Sequence, residues 1–432
     1  MNVSEIAKNA NASALVLAHL STDLKNQALK EMADALEQNC PAILSANKKD
    51  LEFARNEGIA KALIARLALN EEKVQAMAKG IRSVVELQDP VGIVKSIMEM
   101  DKDLVVEQVT CPIGVIGAIF ESRPDAVPQI ASLCLKSGNA VILKGGTEAQ
   151  NSNKMIVNLL VEAMSKIPGV PHSAVQMIET RSEVADMLEE DKYIHLIVPR
   201  GSNAFVKYIQ ENTRIPVLGH SEGICHGYID RFADLDKSIA ICLDSKLQYP
   251  AACNAMETLL VHKDIADKVL PDLVAKFREK QVELVGCVKT CHVVSEMAPA
   301  CESDWNLEYN DLKLSIKIVE GLSEAVKFIN NHGSGHTDVI MTENSDRADQ
   351  FMNEVGSASV MWNASTRFAD GFRYGLGAEI GISTNRTHAR GPVGLEGLVI
   401  YKYKLYGNGQ IAGDYSGENA REFTHKPITP KL

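Results

Sequence analysis

The sequence lacks a membrane-length apolar run and a surplus of positive charge. A transmembrane helix needs about 20 consecutive apolar residues, and no segment of this 432-residue chain approaches that length. Lys and Arg total 45 against 56 Asp and Glu, so the net charge of −11 argues against a broad surface for nucleic acid or anionic membranes. Repeats and low-complexity tracts are also absent. With 45% hydrophobic and 23% charged residues, the composition excludes disorder and predicts a globular protein of two or three domains.

The nine cysteines do not suggest a disulfide framework. Their number is odd, their spacing is irregular, and Cys134 and Cys242 lie in apolar runs, where a reduced thiol packs as a small hydrophobe. The N-terminal segment lacks the basic region and cleavage site of a signal peptide. We therefore expect a reducing, cytoplasmic compartment. Cys287 and Cys291, next to His292, form a single loose cluster, whereas a zinc site needs paired clusters, so no metal is predicted.

Helical and strand-like segments alternate in an order typical of α/β proteins. The first 90 residues predict helices, because apolar residues recur at helical spacing, as at Val74, Met77, Ala78, Ile81, Val84 and Val85. From about residue 104, short apolar strands alternate with helices, which indicates βαβ units and a doubly wound parallel sheet covered on both faces. A second alternating block follows Cys253. The sequence predicts two α/β domains with peripheral strands outside the main sheets.

Two predicted strands end in turns suited to binding phosphate. The turn residues are Lys144, Gly145 and Gly146 after AVILK, and Arg200, Gly201 and Ser202 after IHLIV. Glycine lets a ligand approach the backbone, and free N–H groups at the start of the following helix attract anions. Neither turn is a G-x-G-x-x-G or Walker A motif. Together they predict a dinucleotide crevice, with ordinary strand-to-helix turns and an N-capping Ser202 as the alternative.

A loop cysteine and a group of arginines are candidates for chemistry. Cys253 lies in a small-residue loop between the two α/β blocks, where it is either a thiolate nucleophile or a buried structural cysteine. Residues 362–398 form a long, Gly-rich segment that contains Arg367 and Arg373, and Arg123 follows the strand GVIGAIF. Guanidinium groups there suit the phosphate or carboxylate of a substrate. A solvated loop with scattered charge is the alternative.

Seven segments carry a more specific signal: FESRPD, SGNAVILKGG, VPRGSNA, IPVLGHSEGICH, YPAACNAMETLL, GSGHTD and WNASTRFADGFRYGLGAEIGISTNRTHARGPVGLEGL. In this order they resemble the gamma-glutamyl phosphate reductase family, a branch of the aldehyde dehydrogenase superfamily, over essentially the whole chain. The resemblance implies NADPH-dependent reduction of L-glutamyl 5-phosphate to glutamate 5-semialdehyde with release of phosphate, the second step of proline synthesis from glutamate. It also implies a homo-oligomer, dimer or tetramer, and suggests functional coupling to glutamate 5-kinase.

The resemblance assigns the cofactor residues. Gly201 and Ser202 align with the superfamily's pyrophosphate turn. Lys144, followed by Gly145, aligns with the lysine that contacts the adenosine side of the cofactor. Glu308 falls where the superfamily places a glutamate on the nicotinamide ribose. We expect NADPH rather than NADH, because Lys144 is the best-placed cation for a 2′-phosphate.

The resemblance also assigns the reacting groups. Cys253 aligns with the nucleophile and would carry a thioester. Ser122, grouped with the substrate-binding residues, stands where many aldehyde dehydrogenases have an oxyanion-hole asparagine, which leaves the Cys253 N–H and the Asn254 region as candidate donors. The segment 217–220 has no glutamate at the position of the hydrolytic members' general base, although Glu222 is near. A reductase must keep water from its acyl-enzyme, so this departure fits the reaction.

The predicted domains follow from the same resemblance. Residues 1–245 form the NADP-binding domain, 246–395 the catalytic domain, and 396–432 an oligomerisation strand and tail. Residues of about 100–112 and 398–414 are expected to project and to pair between subunits. Two other interpretations stand beside this one: a dehydrogenase acting on a different semialdehyde, which would need no phosphate, and a nucleotide-binding scaffold without turnover.

Overall fold

A computed structural model of the protein describes residues 2–220 and 222–429. Helices occupy the N-terminal part and then connect the strands of two parallel sheets. The α-helices are α1 (Val3–Leu17), α2 (Thr22–Gln38), α3 (Cys40–Asn56), α4 (Lys61–Leu67), α5 (Glu71–Glu86), α6 (Ala126–Lys136), α7 (Gln150–Met164), α8 (Arg181–Glu189), α9 (Asn203–Glu211), α10 (Leu235–Leu247), α11 (Lys263–Glu279), α12 (Val288–Val293), α13 (Leu322–His332) and α14 (Ser345–Glu354).

The strands form two parallel sheets, an antiparallel sheet and a short hairpin. They are β1 (Val94–Asp101), β2 (Leu104–Pro112), β3 (Val115–Phe120), β4 (Ala140–Lys144), β5 (Val175–Met177), β6 (Leu196–Arg200), β7 (Cys225–Ile229), β8 (Met256–His262), β9 (Glu283–Gly286), β10 (Ala298–Pro299), β11 (Lys313–Val319), β12 (Thr337–Met341), β13 (Ser359–Trp362), β14 (Gly381–Ser383), β15 (Gly391–Val393), β16 (Val399–Tyr406) and β17 (Lys426–Ile428).

The predicted helical start of the chain is confirmed by α1 to α5. In α5, the Asn70 side chain accepts a hydrogen bond from the Lys73 N–H at 2.9 Å and caps the first turn. The apolar stripe predicted for this helix is buried along its whole length. It packs against α2 and α6, so the N-terminal helices share one hydrophobic core with the first parallel sheet.

The first parallel sheet has the strand order β5-β4-β3-β6. Within this sheet, β3 is the first strand along the chain, and β4 and β5 follow on one side of it. The chain then crosses back to β6 on the other side of β3. This confirms the predicted doubly wound arrangement and places its switch point between β3 and β6, where ligands bind in such sheets. The predicted strand IPVLG is reduced to one parallel bridge between Ile197 and Val217.

The second parallel sheet has the order β10-β9-β11-β8-β7-β12-β13. Strand β7 pairs with β8 and β12, and α10 packs into the second core through Ile239 and Cys242. The change of sheet therefore lies between Val217 and Cys225, which corrects the boundary predicted at residue 245. No local pattern marks this change, because the alternation of helices and strands continues unaltered across it.

The segment near the end of the predicted catalytic domain, 246–395, returns to the first core. Ile380, Val393 and Leu395 are buried there beside residues of β3 and β4, and the hairpin of β14 and β15 packs near β6. The long Gly-rich segment thus spans both units of the fold, which corrects its assignment to the second one alone. Within the described residues, no helix combines the length and apolar character needed to cross a membrane.

The antiparallel sheet has the order β16-β2-β1-β17. Strands β2 and β16 pair from Val105 with Tyr406 to Pro112 with Val399. The predicted strands near 100–112 and 398–414 are thus present and pair with each other in one chain. Beyond Val399, β16 is exposed along its whole length, with Tyr401, Tyr403 and Leu405 among its solvent-facing side chains. Pairing between subunits stays a prediction.

Candidate active site

Cys253 lies in a tight loop between α10 and β8. A buried ion pair joins the two elements behind this loop: Lys246 Nζ lies 2.6 Å from Glu257 Oε2, and both side chains are fully buried. Burial raises the pKa of Glu257 to about 7 although the Lys246 ammonium opposes that shift. Gly223 packs directly on the loop, because a Cβ there would stand 2.0 Å from the Cys253 carbonyl oxygen. Cys253 is thus held in place, and its residue is only partly buried.

Two histidines stand beside the Cys253 thiol. A ring nitrogen of His220, a ring nitrogen of His336 and Cys253 Sγ all lie within 4.8 Å of one another. The two imidazole rings meet edge to face, with 4.9 Å between their centroids. His220 Nδ1 lies 2.8 Å from the Ile382 carbonyl oxygen, to which it donates, so its other ring nitrogen is left as an acceptor. This arrangement can take the proton of the thiol.

Sequence reasoning did not identify these histidines as functional. His220 belongs to the segment 217–220, in which the resemblance pointed only to a missing glutamate, and His336 lies far along the chain in GSGHTD. The fold brings them to Cys253 because His220 follows the last bridge of the first sheet and His336 immediately precedes β12. No local spacing pattern links the three residues, so only the tertiary structure reveals the cluster.

The backbone around Cys253 provides two unused donors. The Ala252 N–H donates to the Tyr249 carbonyl at 3.1 Å, and the Ala255 N–H donates to the Ala252 carbonyl at 2.8 Å. Between them, the N–H groups of Cys253 and Asn254 form no hydrogen bond with any residue that the structure describes. Adjacent free N–H groups beside a nucleophile suit the oxyanion of a tetrahedral intermediate.

The Asn254 side chain forms a hydrogen bond within the protein. It is buried, and its Nδ2 donates to the Ala369 carbonyl oxygen at 2.9 Å. Its Oδ1 is buried without a partner among the described residues. This bond ties the nucleophile loop to the Gly-rich segment. The contribution of the Asn254 region to oxyanion binding stays a prediction, for which its unbonded backbone N–H is available.

Two guanidinium groups, those of Arg200 and Arg367, lie within electrostatic reach of the Cys253 thiol. Burial lowers the pKa of Arg200, and the neighbouring Arg123 lowers it further, while the charge of Cys253 acts in the opposite direction. Burial likewise lowers the pKa of Arg367, with Arg373 adding to the shift and Cys253 again opposing it. Cationic groups this close would stabilise a thiolate and an anionic substrate. The structure thus adds Arg200 to the arginines predicted to bind an anion. The sequence had linked Arg200 only to the pyrophosphate turn.

The predicted arginines are not equally placed. Arg367 Nε donates to Gln248 Oε1 at 2.9 Å, which holds it over the nucleophile loop. Arg373 is exposed, and its guanidinium donates to the Arg367 backbone carbonyl. Arg123 lines a cavity of about 840 Å³, here called the arginine cavity, together with Arg66, Asp125, Tyr249, Phe372 and Glu379. Its volume suits a small-molecule ligand.

Glu379 is a partly buried carboxyl group that lines the arginine cavity. Its Oε2 accepts a hydrogen bond from the Gly371 N–H at 2.7 Å. Burial raises its pKa, although Arg200 opposes the shift. His220 also lies within its electrostatic reach. Glu222, which the sequence placed near the position of a general base, is exposed.

A second cavity, of about 680 Å³ and here called the lysine cavity, lies at the predicted dinucleotide crevice. It is lined by Ser122, Lys144, Gly146, Glu148, Arg181 and Ser202. Burial lowers the pKa of Lys144, and Glu148 opposes that shift. Arg181, at the start of α8, is a second cation here that the sequence analysis did not single out. The two predicted phosphate turns thus reach one cavity.

The glycines of the first turn are required by packing. A Cβ at Gly145 would stand 2.0 Å from Asn153 Nδ2, and one at Gly146 would stand 2.1 Å from Glu148 Oε1. Glu148 in turn accepts hydrogen bonds from the Ser122 N–H and hydroxyl at 2.7 and 2.5 Å. The Ser122 hydroxyl is therefore committed to Glu148 and faces the lysine cavity. The grouping of Ser122 with the substrate-binding residues stays a prediction.

The second turn is open to a ligand. Ser202 precedes α9, but its side chain forms no capping hydrogen bond with the helix. Gly201 and Ser202 are both exposed. Glu308, from the second α/β unit, accepts a hydrogen bond from Asn203 Nδ2 at 3.0 Å. The structure thus brings the predicted ribose carboxylate next to the predicted pyrophosphate turn, across the cleft between the sheets.

Comparison with known proteins identifies the family. A model of the aldehyde dehydrogenase family matches residues 1–286. The gamma-glutamyl phosphate reductase of Methanococcoides burtonii is 53% identical, covering 100% of this chain and 98% of that protein, and the one from Acetivibrio thermocellus is 52% identical over the full length of both. The chain belongs to the gamma-glutamyl phosphate reductase family. The family resemblance drawn from the sequence is thereby confirmed, and the protein is an oxidoreductase of the aldehyde dehydrogenase superfamily.

Solved structures confirm the fold. The crystal structure of the gamma-glutamyl phosphate reductase of Thermotoga maritima superposes with a TM-score of 0.93 at 42% identity, covering 95% of this chain and 100% of that one. An engineered glycolyl-CoA reductase with bound NADP⁺ shares the fold at 14% identity and a TM-score of 0.64. Aldehyde dehydrogenases use nicotinamide cofactors, and the lysine cavity lies at the switch point of the first parallel sheet, where such sheets bind ligands.

Proposed function

We propose that the protein reduces L-glutamyl 5-phosphate to L-glutamate 5-semialdehyde with NADPH and releases phosphate, as the second step of proline synthesis from glutamate. The observation that carries this proposal is the Cys253 centre, in which a thiol, two free backbone N–H groups and neighbouring guanidinium groups converge. Acyl transfer to a thiol needs a nucleophile, an oxyanion site and a place for the leaving anion. The names of the curated relatives supply the substrate.

The first step is formation of the nucleophile. We assign His220 to accept the Cys253 thiol proton, because its Nδ1–H is held by the Ile382 carbonyl and its other ring nitrogen is an acceptor. The thiolate that results lies within the electrostatic reach of Arg200 and Arg367. An imidazolium and two guanidinium groups favour the charged form of a thiol.

The second step is acyl transfer. The Cys253 thiolate forms a bond to the acyl carbon, and the oxyanion lies against the N–H groups of Cys253 and Asn254. The bond between the acyl carbon and the phosphate oxygen then breaks, leaving a thioester on Cys253. The departing phosphate takes up the proton that His220 removed from the thiol. Arg200 and Arg367 stabilise its negative charge until it leaves.

The third step regenerates the enzyme. Bound NADPH would supply a hydride to the acyl carbon. The Cys253 thiohemiacetal that follows again carries its oxyanion on the same pair of N–H groups, so one site serves both tetrahedral species. Breaking the carbon–sulfur bond releases the semialdehyde and returns the thiolate, which regains a proton from solvent through His220. The cycle therefore consumes one proton for each phosphate released.

The lysine cavity fits the cofactor. The Ser202 side chain forms no capping bond, and Ser202 and the start of α9 offer donors for a pyrophosphate. Lys144 and Arg181 are cations for a 2′-phosphate, while the Glu148 carboxylate beside them is engaged by Ser122. These features support the preference for NADPH. Glu308 is proposed to bind the nicotinamide ribose from the opposite side of the cleft.

The segment 217–220 supports the reductive direction. The Val217 backbone carbonyl accepts a hydrogen bond from Asn385 Nδ2 at 2.7 Å, and Leu218 is buried in the first core. The segment thus has no glutamate at the position that hydrolytic relatives use to activate water. We propose that the thioester is protected from water for this reason and survives until reduction.

Turnover itself tests the function. The purified protein should oxidise NADPH when glutamyl phosphate is generated in the assay by a kinase, and should reduce NADP⁺ with glutamate semialdehyde only when phosphate is added. Reduction of NADP⁺ without phosphate would instead indicate a dehydrogenase of a different type. Absence of any turnover with the folded protein would overturn the proposal.

The antiparallel sheet supports a homo-oligomer. Strand β16 is the edge of its sheet and exposes Tyr401, Tyr403 and Leu405, so it offers both unpaired backbone groups and apolar area. We propose a dimer or tetramer assembled through this sheet in the cytoplasm. Replacing Tyr403 and Leu405 by Lys should yield monomers in light scattering, whereas an unchanged mass would exclude this surface. The lability of the acyl phosphate is the reason to expect functional coupling to a glutamate kinase.

A further inference from the structure

The side chains around the nucleophile form a metal-ligand set in addition to a catalytic pair. A thiol and two imidazoles are the donors that zinc prefers, and three protein ligands with one open position are typical of exchangeable zinc sites. We propose that Cys253, His220 and His336 bind a Zn²⁺ ion, which blocks the nucleophile and reversibly switches the enzyme off. The zinc site itself does not depend on the proposed reaction; only its effect on turnover does.

The geometry is close to that of a tetrahedral site. The three donor atoms lie within 4.8 Å of one another. Tetrahedral zinc with bonds of about 2.3 Å to sulfur and about 2.0–2.1 Å to nitrogen places its ligand atoms about 3.3–3.6 Å apart. Closing the cluster around an ion therefore needs side-chain shifts of only about 1 Å. The Cys253 loop and both histidine segments can stay in place.

His336 carries the second observation. Its side chain is 1% exposed, and its Nε2 is buried without a hydrogen-bond partner among the described residues. Its Nδ1 lies 2.8 Å from Thr337 Oγ1. A buried imidazole nitrogen without a partner costs free energy, which a bound cation would recover. The catalytic cycle proposed above does not use His336, so this orphaned nitrogen has no other assigned partner.

The outer contacts of the histidines match those of metal ligands. A ligating histidine usually donates its second ring nitrogen to a carbonyl or another polar group, which fixes the ring and its tautomer. His220 does this through its Nδ1 and the Ile382 carbonyl at 2.8 Å, and His336 has Thr337 at its Nδ1. Both rings therefore have a fixed orientation before an ion arrives.

Binding changes the chemistry of the centre in a defined way. Zinc forms a bond to Cys253 Sγ and displaces the thiol proton to solvent, with no change in oxidation state. The sulfur lone pair that would attack the acyl carbon is then shared with the metal. The charges of Arg200 and Arg367 oppose a dication, so we expect binding that a chelator readily reverses.

Cobalt is the spectroscopic probe for this site. The metal-free full-length protein is titrated with Co²⁺, and a thiolate-to-metal charge-transfer band with strong tetrahedral d–d bands should saturate at one equivalent. Zn²⁺ should then displace the spectrum. Cys253→Ser should abolish the charge-transfer band. His336→Gln should weaken metal binding by at least about 100-fold, since even an outer-shell partner is worth 10- to 100-fold.

Matched controls separate this site from adventitious binding. Cys301 and His19 are exposed elsewhere on the molecule, so Cys301→Ser and His19→Gln should leave the titration unchanged. If His336→Gln does not fold, His220→Gln provides the second ligand deletion. X-ray absorption of the zinc-loaded wild type needs no variant and should show one sulfur and two imidazole nitrogens.

Two outcomes would overturn the metal site: a charge-transfer band that persists in Cys253→Ser, or an absorption spectrum without the sulfur and imidazole ligands. In the functional arm, Zn²⁺ should slow alkylation of Cys253 by iodoacetamide and inhibit turnover, and EDTA should restore both. If the protein binds Co²⁺ as described but has no reductase activity, the result supports the metal site and contradicts the proposed function. If saturating Zn²⁺ leaves the alkylation of Cys253 unchanged, the metal does not block the nucleophile and cannot switch the enzyme off.

Discussion

The lysine cavity and the Cys253 centre are built in opposite ways. The lysine cavity is made of consecutive strand–turn–helix units, in which Lys144 and Ser202 each end a strand or begin a helix. The Cys253 centre instead gathers residues from separate loops, with His220 and His336 standing far apart in the sequence. A site built from local units leaves a local sequence signal, and one assembled by the tertiary fold does not. We therefore expect substitutions in the lysine cavity to affect cofactor binding and substitutions in the Cys253 centre to affect the chemistry.

The largest effect is expected at the nucleophile. Cys253→Ser should lower kcat by at least about 10³-fold, since deleting a catalytic nucleophile removes the covalent route. NADPH binding, measured by fluorescence titration, should be nearly unchanged because the lysine cavity is intact. Cys301→Ser is the control with an exposed thiol. Activity above roughly a tenth of wild type in Cys253→Ser would show that Cys253 is not the nucleophile. The chemistry would then not be located at the Cys253 centre.

The next largest effect is expected at His220. His220→Gln should reduce turnover about 10²- to 10⁴-fold, the usual range for loss of a proton-transfer group. Alkylation of Cys253 by iodoacetamide should need a higher pH than in wild type, because the thiolate loses its proton acceptor. A merely structural role would lower activity without moving this pH profile. His19→Gln should match wild type in both measurements.

In the lysine cavity, effects should appear in KM rather than in kcat. Lys144→Ala should raise KM for NADPH about 10- to 100-fold and KM for NADH much less, as one charge-assisted contact to the 2′-phosphate is lost. Arg181→Ala should act in the same direction. Steady-state kinetics with both cofactors decides the point. Equal increases in KM for NADPH and NADH would show that these two cations do not contact the 2′-phosphate.

The smallest effect is expected where the two regions meet. Glu308→Gln keeps the size of the side chain that bonds to Asn203 and removes its charge. It should change KM for NADPH only a few-fold, roughly the value of one exposed hydrogen bond. Asn203→Ala is the matched variant on the other side of the bond. An increase in KM as large as that expected for Lys144→Ala would show that Glu308 contributes more to cofactor binding than proposed.

The fold was predictable to the extent that its signals were local. Apolar periodicity indicated α5 and the strands of both sheets, and the glycine turns that follow β4 and β6 indicated the lysine cavity. The predicted domain boundary was wrong because β7 looks like one more strand of the first block, and only its pairing with β8 and β12 shows otherwise. The hydrogen bond from Ser122 to Glu148 was not predictable for a similar reason, since Glu148 lies on a different turn.

The Cys253 centre was predictable only in part. The resemblance supplied Cys253, and the absence of the oxyanion-hole asparagine pointed to the backbone donors. His220, His336 and the contribution of Arg200 to the thiol needed the fold, because side chains converge there from both parallel sheets. Cationic residues in an acidic chain indicated an anionic ligand, but which of them reach the thiol depends on burial.

Phosphate release without reductant is the most direct test of the thioester. Wild-type protein is mixed rapidly with glutamyl phosphate, made in place by a kinase, in the absence of NADPH. We expect a burst of about one phosphate per active site and an acylated Cys253 detectable by mass spectrometry, followed by only slow hydrolysis. Val217→Glu should raise the slow phase. Steady hydrolysis that rivals the NADPH-driven rate, without an acylated Cys253, would contradict the account and point to Glu379 or Glu222 as a base that activates water.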